Sequence, residues 1–137
     1  MTNLNVAIFG CSGAIGKALC IEYINKPNID NIIAYSRSGE EFENNQIKSI
    51  KVDYCNEQSL AEAASSLQIK LDIIIVAIGA LDNPEKSIRD LSTEKFLDMF
   101  NANTIPTALI AKYYLPCLYR DTVSYTHLRA HETRHHL

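Results

Sequence analysis

Residues 4–16 read LNVAIFGCSGAIG and carry the strongest structural signal of the chain. The apolar run that ends at Gly10 predicts a buried β-strand, because it is short, contains Val and Ile, and is followed by glycine. From Ile15 to Ile24 the apolar side chains recur near helical spacing, and Pro27 follows, which predicts a helix. A strand, a glycine-rich turn and a helix therefore follow one another directly.

The turn has the composition of a phosphate-binding loop. Gly10 permits a tight turn, residues 12–14 are small enough for the backbone to approach a pyrophosphate, and Gly16 permits close packing of the helix on the strand. Free N–H groups at the start of the helix would then face the anion. Because the strand–turn–helix context of the motif is met, we predict a dinucleotide-binding loop. Its residues are Gly10, Cys11, Ser12, Gly13, Ala14, Ile15 and Gly16. A turn with a purely structural role is the alternative.

The rest of the chain alternates between strand and helix patterns. The run LDIIIVAI at residues 71–78 is apolar on both faces, as in a parallel sheet that is covered on both sides. This alternation predicts an α/β fold with a doubly wound, mostly parallel Rossmann sheet. The other predicted elements are strands at 31–35 and 49–53, a helix at 57–67, and a helix that follows an N-cap at Ser92 and is interrupted or restarted at Pro106.

The end of the second predicted strand indicates which dinucleotide binds. No Asp or Glu stands there to accept a hydrogen bond from a ribose 2′-hydroxyl; the residues are Ser36 and Arg37. A guanidinium binds phosphate through two parallel hydrogen bonds, so Arg37 beside Ser36 suits the 2′-phosphate of NADP. We predict NADP, with NAD as the alternative and a solvated loop charge as the structural explanation of Arg37.

Composition excludes several classes of protein. The 137 residues are 47% hydrophobic and 21% charged, as in an ordinary globular domain. The formal net charge of −3 gives no cationic field for nucleic acid or an anionic membrane. No apolar run reaches about 18 residues and no signal peptide is recognised, so a cytoplasmic protein is expected. The four cysteines form no C-x-x-C pair and are read as reduced thiols.

On these residues the chain resembles the short-chain dehydrogenase/reductase family, and within it the C-factor-like branch, from about residue 4 to about residue 120. The glycine loop is similar to the family's cofactor loop, with Ala14 where a middle glycine usually stands. Asp53, followed by Tyr54, matches the acidic residue that contacts the adenine amine. The resemblance adds both residues to the expected cofactor site.

Two further motifs extend the resemblance. The residues Ala77, Ile78 and Gly79 match the Asn-Asn-Ala-Gly motif beside the cofactor, although Val76 occupies a position that is normally Asn. Asn103 and Thr104 match an Asn-Thr pair on the central helix. In the family this Asn helps to hold a water in the proton relay, so Asn103 is the only catalytic residue that the resemblance transfers to this chain.

The resemblance implies hydride transfer between a nicotinamide and a carbonyl or alcohol, with a Tyr as acid or base, a Lys four residues later and an orienting Ser. None of the seven tyrosines has Lys at that spacing, and the similarity ends near Arg120. We therefore expect a cofactor-binding fragment, inactive alone, that is truncated after the fourth strand and the central helix. Its substrate is not identified. A non-catalytic dinucleotide sensor or signalling module is the alternative, and a Rossmann protein for a nucleotide-sugar or methyl donor is a third.

The last residues differ from the rest of the chain. All four histidines lie in the final eleven residues, and the hydrophobic periodicity is lost there. We expect an incomplete Rossmann domain at 1–121 and a disordered tail at 122–137 that resembles vector or adaptor read-through. The spacing of His127, His131 and His135 would allow a metal site on one helical face, but no carboxylate pattern supports it and no metal is predicted.

Truncation has an expected physical consequence. Without a fifth strand, the fourth predicted strand would present an unpaired apolar edge to solvent, which favours association and low solubility. The resembled family commonly associates through its central helix pair, so the resemblance also allows a homo-oligomer.

Overall fold

The computed structural model describes residues 3–79, 88–119 and 125–127, the last three in their backbone only. Its five strands form one parallel sheet in the order β3-β2-β1-β4-β5. The strands are β1 (Leu4–Phe9), β2 (Ile29–Ser36), β3 (Ile47–Lys51), β4 (Ile73–Val76) and β5 (Tyr125–His127). The helices are α1 (Ala14–Ile24), α2 (Glu57–Ser65), α3 (Thr93–Met99) and α4 (Ile105–Tyr114). The α/β fold with a parallel Rossmann sheet is thereby confirmed.

The central strand β1 is aligned with both of its neighbours at its carboxyl end. Its last residue, Phe9, pairs with Tyr35 of β2 on one side and with Val76 of β4 on the other. The carboxyl ends of the three strands therefore meet at the same edge of the sheet. The chain leaves β1 toward β2 on one side and enters β4 on the other, which is where the strand order of a doubly wound sheet reverses.

The sheet is covered on both faces. On one face, α2 and α4 contribute Leu60, Ile110 and Tyr114 to a buried core. Within that core the rings of Phe9 and Tyr35 stack with their centroids 4.3 Å apart. On the other face, α1 packs its apolar side chains, Cys20 among them, against the strands. A strand with neighbours on both faces has to be apolar throughout, which explains the continuous runs in β1 and β4.

The predicted elements are found with small changes of boundary. The Ser92 N-cap is confirmed, because its hydroxyl accepts a hydrogen bond from the Lys95 backbone N–H at 3.2 Å. Pro106 stands in the first turn of α4, where a backbone N–H would have no intrahelical acceptor. Of the two expected effects of Pro106, interruption or restart of the helix, the structure shows a restart. A π-helical turn, Phe100–Thr104, joins α3 to α4. The predicted strand 71–78 is shorter than expected, with β4 limited to Ile73–Val76.

The expectation of an unpaired edge on β4 is wrong. Strand β5 pairs with it in parallel, with Ile74 opposite Tyr125 and Val76 opposite His127. Before it, the Tyr119 N–H donates to the Leu71 carbonyl oxygen at 3.0 Å. The chain thus returns to the sheet after α4 and satisfies backbone groups that would otherwise face solvent. This edge of β4 therefore gives no reason to expect low solubility.

Most other statements about the tail concern residues outside the described part. The backbone of His127 lies in strand β5, so it does not belong to the helical face on which a metal site with His131 and His135 would depend, and those two residues lie outside the described part. The domain boundary at residue 121 and the foreign origin of the tail stay predictions. Among the helices of the described part, none combines the length and the apolarity that crossing a membrane requires.

Candidate functional site

A cleft of about 190 Å³ opens at the carboxyl ends of β1, β2 and β4. This is the place where open α/β sheets bind their ligands, since loops from both sides of the reversal point face each other there. Among the described residues, the cleft is lined by Gly10, Ser12, Gly13, Arg37, Tyr54, Cys55, Ala77, Ile78, Gly79, Ala102 and Pro106. Most of them belong to the predicted cofactor site.

Two glycines of the loop are required by packing alone. Gly10 has φ +94°, and a Cβ built on it would lie 2.3 Å from the carbonyl oxygen of Ala77. At Gly16 a Cβ would lie 2.0 Å from the carbonyl oxygen of Gly10. Real Cβ atoms do not approach that closely, so the loop sits against the end of β4 and the first turn of α1 sits against the loop. The predicted roles of both glycines, tight turn and close packing, are confirmed.

The first two N–H groups of the loop point into the protein. The backbone N–H groups of Gly10 and Cys11 both donate to the carbonyl oxygen of Tyr35, at 3.0 Å each. The Gly10 N–H is also shared with the hydroxyl of Tyr54, at 2.8 Å. The Gly13 N–H likewise donates to the Gly10 carbonyl oxygen, at 3.1 Å. These three N–H groups are used by the fold, so an anion in the cleft would have to be bound by the Ser12 N–H and the N–H groups that open α1.

The Cys11 side chain packs beneath the loop and does not line the cleft. Its side chain is fully buried, and its thiol donates to the carbonyl oxygen of Ile8 at 3.0 Å. The Cys20 thiol in turn donates to the Cys11 sulfur at 3.3 Å. The neighbouring Cys20 thiol, together with burial, raises the pKa of the Cys11 thiol, so Cys11 keeps its proton. Cys11 is thus a protonated packing residue beneath the loop and does not reach the cleft.

The N-terminus of α1 opens at the cleft without a side-chain cap. Its N-cap is Gly13, and no side chain among the described residues caps the first turn. The opening N–H groups of a helix have no intrahelical acceptor, and the helix dipole places partial positive charge there. No acidic residue stands in the first turn to compete for that charge. A phosphate group would complete this arrangement.

Arg37 supplies a cation at the rim of the cleft. It is exposed and follows β2 directly, at the position where the sequence predicts recognition of a 2′-phosphate. Nearby, Glu40 forms an ion pair with Lys17 of α1, so its carboxylate has a partner of its own. Among the described residues that line the cleft, Arg37 is the cationic one, and the nearby Glu40 carboxylate is paired with Lys17.

Several predicted residues stand beside the cleft without lining it. The buried Ser36 hydroxyl accepts from the Glu40 N–H at 2.9 Å, which holds it in the turn after β2. The Asp53 carboxylate accepts from the Cys55 N–H at 2.9 Å and so closes its own turn.

Asn103 lies in the π-helical turn, where the cleft is lined by its neighbour Ala102. Ala14, Ile15 and Gly16 likewise do not line it; Gly16 lies beneath the loop.

The sequence prediction missed Cys55, Ala102 and Pro106. Ala102 and Pro106 are four residues apart and therefore lie on one face of the helical segment that closes the cleft. Their small or rigid side chains leave room in front of the glycine loop. This spacing was the available signal, but it becomes informative only when the segment is known to face the loop. No group of three metal-ligating side chains occurs in the described part of the chain.

Solved structures share this architecture. A short chain dehydrogenase family protein from Francisella tularensis is 21% identical, with a TM-score of 0.78 over 92% of this chain and 50% of its own. An NADPH-bound carbonyl reductase from chicken fatty liver is 16% identical, with a TM-score of 0.76 over 85% of this chain and 49% of its own. A short chain dehydrogenase from Leptospira borgpetersenii with bound NAD⁺ is 24% identical, with a TM-score of 0.72 over 85% of this chain and 46% of its own.

The chain spans about half the length of these structures, and at such identities the likeness establishes the fold. No curated protein matches the chain. The family model of NAD dependent epimerases and dehydratases matches residues 6–105, a range that runs from β1 through the glycine loop to the start of α4. The chain belongs to the NAD dependent epimerase/dehydratase family.

Proposed function

We propose that this chain binds a nicotinamide dinucleotide in the cleft, as the cofactor-binding part of an oxidoreductase of the short-chain dehydrogenase/reductase type. The observation that carries the proposal is the convergence of three features on one cleft. These are the glycine loop after β1, the uncapped N-terminus of α1, and Arg37 at the end of β2. The family match supports it, as do the dinucleotides named for two of the similar structures.

Each part of the cleft has a role in binding. The Ser12 N–H, with the opening N–H groups of α1, would hold the pyrophosphate, and the absence of a side chain at Gly13 would leave room for it. Arg37 would pair with a phosphate on the neighbouring ribose, which favours NADP over NAD. The segment from Ala77 to Gly79 would form the wall on the side of β4. When bound, the dinucleotide supplies or accepts the hydride for a carbonyl or alcohol substrate.

The Tyr and Lys pair that such a reaction uses for acid–base catalysis has no counterpart in this sequence. No tyrosine in the sequence is followed by Lys four residues later, and Asn103 does not line the cleft. We therefore propose that the 137-residue chain binds the dinucleotide without turning over a substrate. A dinucleotide-binding sensor without catalysis is the second candidate function, and the same missing pair favours it.

Binding is the first test. The purified chain is titrated with NADPH and NADH by calorimetry, and the titrations are repeated with Arg37→Ala. Loss of a hydrogen bond to a charged group costs about 1.5–3 kcal/mol, so the Kd for NADPH should rise roughly 10- to 100-fold while that for NADH stays constant. Lys48→Ala removes the same charge from an exposed position on β3, outside the cleft, and should change neither Kd.

The outcomes separate the claims. If the wild-type chain binds neither dinucleotide, the proposed function is wrong. If Arg37→Ala weakens NADPH and NADH equally, the assignment of NADP is wrong while dinucleotide binding stands. Steady oxidation of NADPH in the presence of aldehydes or ketones, monitored by its absorbance, would contradict the proposal that this chain binds without catalysis.

A further inference from the structure

Tyr54 occupies an unusual position between the glycine loop and the end of β2. Its hydroxyl accepts a hydrogen bond from the Gly10 N–H at 2.8 Å and donates one to the Tyr35 carbonyl oxygen at 3.1 Å. The side chain is buried, and its ring forms part of the wall of the cleft. One hydroxyl thus contacts two backbone groups that belong to different strand ends.

Those two backbone groups belong to different parts of the cleft. Gly10 begins the loop whose later residues face the pyrophosphate site. Tyr35 stands two residues before Arg37, the cation at the ribose side, and its carbonyl oxygen also accepts from the Cys11 N–H at 3.0 Å. Three groups donate to this carbonyl oxygen, which has only two lone pairs: the Gly10 N–H, the Cys11 N–H and the Tyr54 hydroxyl. Of its two acceptors, the Gly10 N–H lies closer to the Tyr54 hydroxyl, so we expect that hydroxyl to be its main partner.

The phenol is held so that it can play this role. Its ring packs on Phe9 with the centroids 6.4 Å apart, in the core beneath the loop. Burial raises the pKa of Tyr54, so the hydroxyl keeps the proton that it donates to Tyr35. Gly10 itself has φ +94° and no space for a side chain, so side chains of other residues have to fix its position.

We propose that Tyr54 is a positioning residue, whose hydroxyl holds the base of the glycine loop against the end of β2 so that the residues after Gly10 meet a pyrophosphate. The inference rests on the proposed dinucleotide binding. It assigns Tyr54 a role through the Gly10 backbone, whereas the sequence analysis expected a direct contact with the cofactor.

The test uses Tyr54→Phe, with Tyr114→Phe as the matched control. Both remove one buried hydroxyl from the same aromatic core, but the Tyr114 hydroxyl has no hydrogen-bond partner among the described residues. Each variant is titrated with NADPH and with adenosine 2′-monophosphate, which lacks the pyrophosphate. Hydrogen exchange of the Gly10 amide is followed by NMR, and thermal unfolding shows whether each variant is folded.

Loss of one neutral hydrogen bond should raise the Kd of Tyr54→Phe for NADPH by about three- to tenfold. The Kd for adenosine 2′-monophosphate should stay constant, the Gly10 amide should exchange faster, and Tyr114→Phe should match the wild type in all three. If wild type and Tyr54→Phe bind NADPH equally, the inference is wrong and the proposed function stands. Equal weakening of both ligands also contradicts it, since the effect would not be specific to the loop.

Two further outcomes are decisive. A wild-type chain that does not bind NADPH overturns the proposed function and this inference together. If Tyr54→Phe does not fold, the wild-type NMR spectrum decides: a nuclear Overhauser effect between the Tyr54 hydroxyl proton and the Gly10 amide proton supports the inference, and a Tyr54 hydroxyl proton that exchanges freely with water overturns it.

Discussion

Replacing Gly16 by alanine tests the packing of the loop directly. The new Cβ would lie 2.0 Å from the carbonyl oxygen of Gly10 and 2.6 Å from its carbonyl carbon. Both atoms are backbone, and Gly10 is itself held by Tyr35 and Tyr54. The loop must therefore move by more than an ångström, against its own hydrogen bonds, before the contact becomes an ordinary one.

The cost can be estimated from its parts. Forcing extra volume into a well-packed site costs about 1–3 kcal/mol, and a backbone clash this short belongs at the upper end. Alanine recovers about 1 kcal/mol of helix propensity inside α1. The net loss for Gly16→Ala is about 2 kcal/mol, which in a chain of this size lowers Tm by roughly 6–10 °C. Thermal unfolding followed by circular dichroism measures it.

Gly13→Ala is the matched control, three residues away in the same loop. Its Cβ would meet only the Gly10 carbonyl oxygen, at 3.4 Å, and the backbone angles of φ −79° and ψ 164° suit alanine. The lower entropy of its unfolded chain and the poorer N-cap nearly cancel, so Tm should stay within about 3 °C. If Gly16→Ala melts at the temperature of Gly13→Ala, the close approach of α1 to the loop is refuted.

Two other substitutions separate binding from stability. Gly13→Ala should keep the fold but raise the Kd for NADPH at least tenfold in the same calorimetric titration, because its methyl group enters the space that a pyrophosphate needs; an unchanged Kd would contradict that placement. Ile110→Ala removes a fully buried side chain of α4 and should cost about 2–5 kcal/mol in urea unfolding, while Leu97→Ala on exposed α3 should cost less than about 0.5 kcal/mol. Equal costs would show that α4 does not cover the sheet.

The order of elements could be predicted because its signals are local. The apolar run of β1, the glycine spacing and the helical periodicity of α1 all lie within residues 4–24. The pattern of those residues indicates strand, turn and helix without reference to the rest of the chain. The run of β4 carries the same information through its length and its continuous apolarity. The boundaries moved by a residue or two because hydrogen bonds between strands, which depend on register, set them.

The direction of groups in the loop could not be predicted in the same way. Whether Cys11 faces the cleft depends on the register of β1 against β2, which places the Tyr35 carbonyl oxygen under the loop. The sequence contains no local sign of that pairing. Ser36 was likewise assigned to a ribose by its distance along the chain, while its hydroxyl forms a turn with Glu40.

The pairing of β5 with β4 could not be predicted from the sequence, for a different reason. Its residues lack the length and the apolar pattern of a buried strand, and the tail around them has an unrelated composition. The edge of β4 nevertheless offers a row of unpaired backbone groups, and those groups bind any extended backbone that can reach them. Whether a segment pairs at the edge of a sheet thus depends on the backbone groups of the edge strand and on the path of the chain, and only weakly on the side-chain pattern of the segment.

The three glycines of the loop have different reasons to be glycine. Gly10 and Gly16 are explained by packing, since a Cβ at either position would collide with backbone whether or not a ligand binds. Gly13 is different, because nothing in the fold lies closer than 3.4 Å and its backbone angles need no glycine. Apart from a modest N-cap preference, packing therefore does not account for Gly13, whereas the proposed approach of a pyrophosphate to the start of α1 would. Of all the residues in the motif, Gly13 is the one whose identity argues for a bound pyrophosphate rather than for a stable turn.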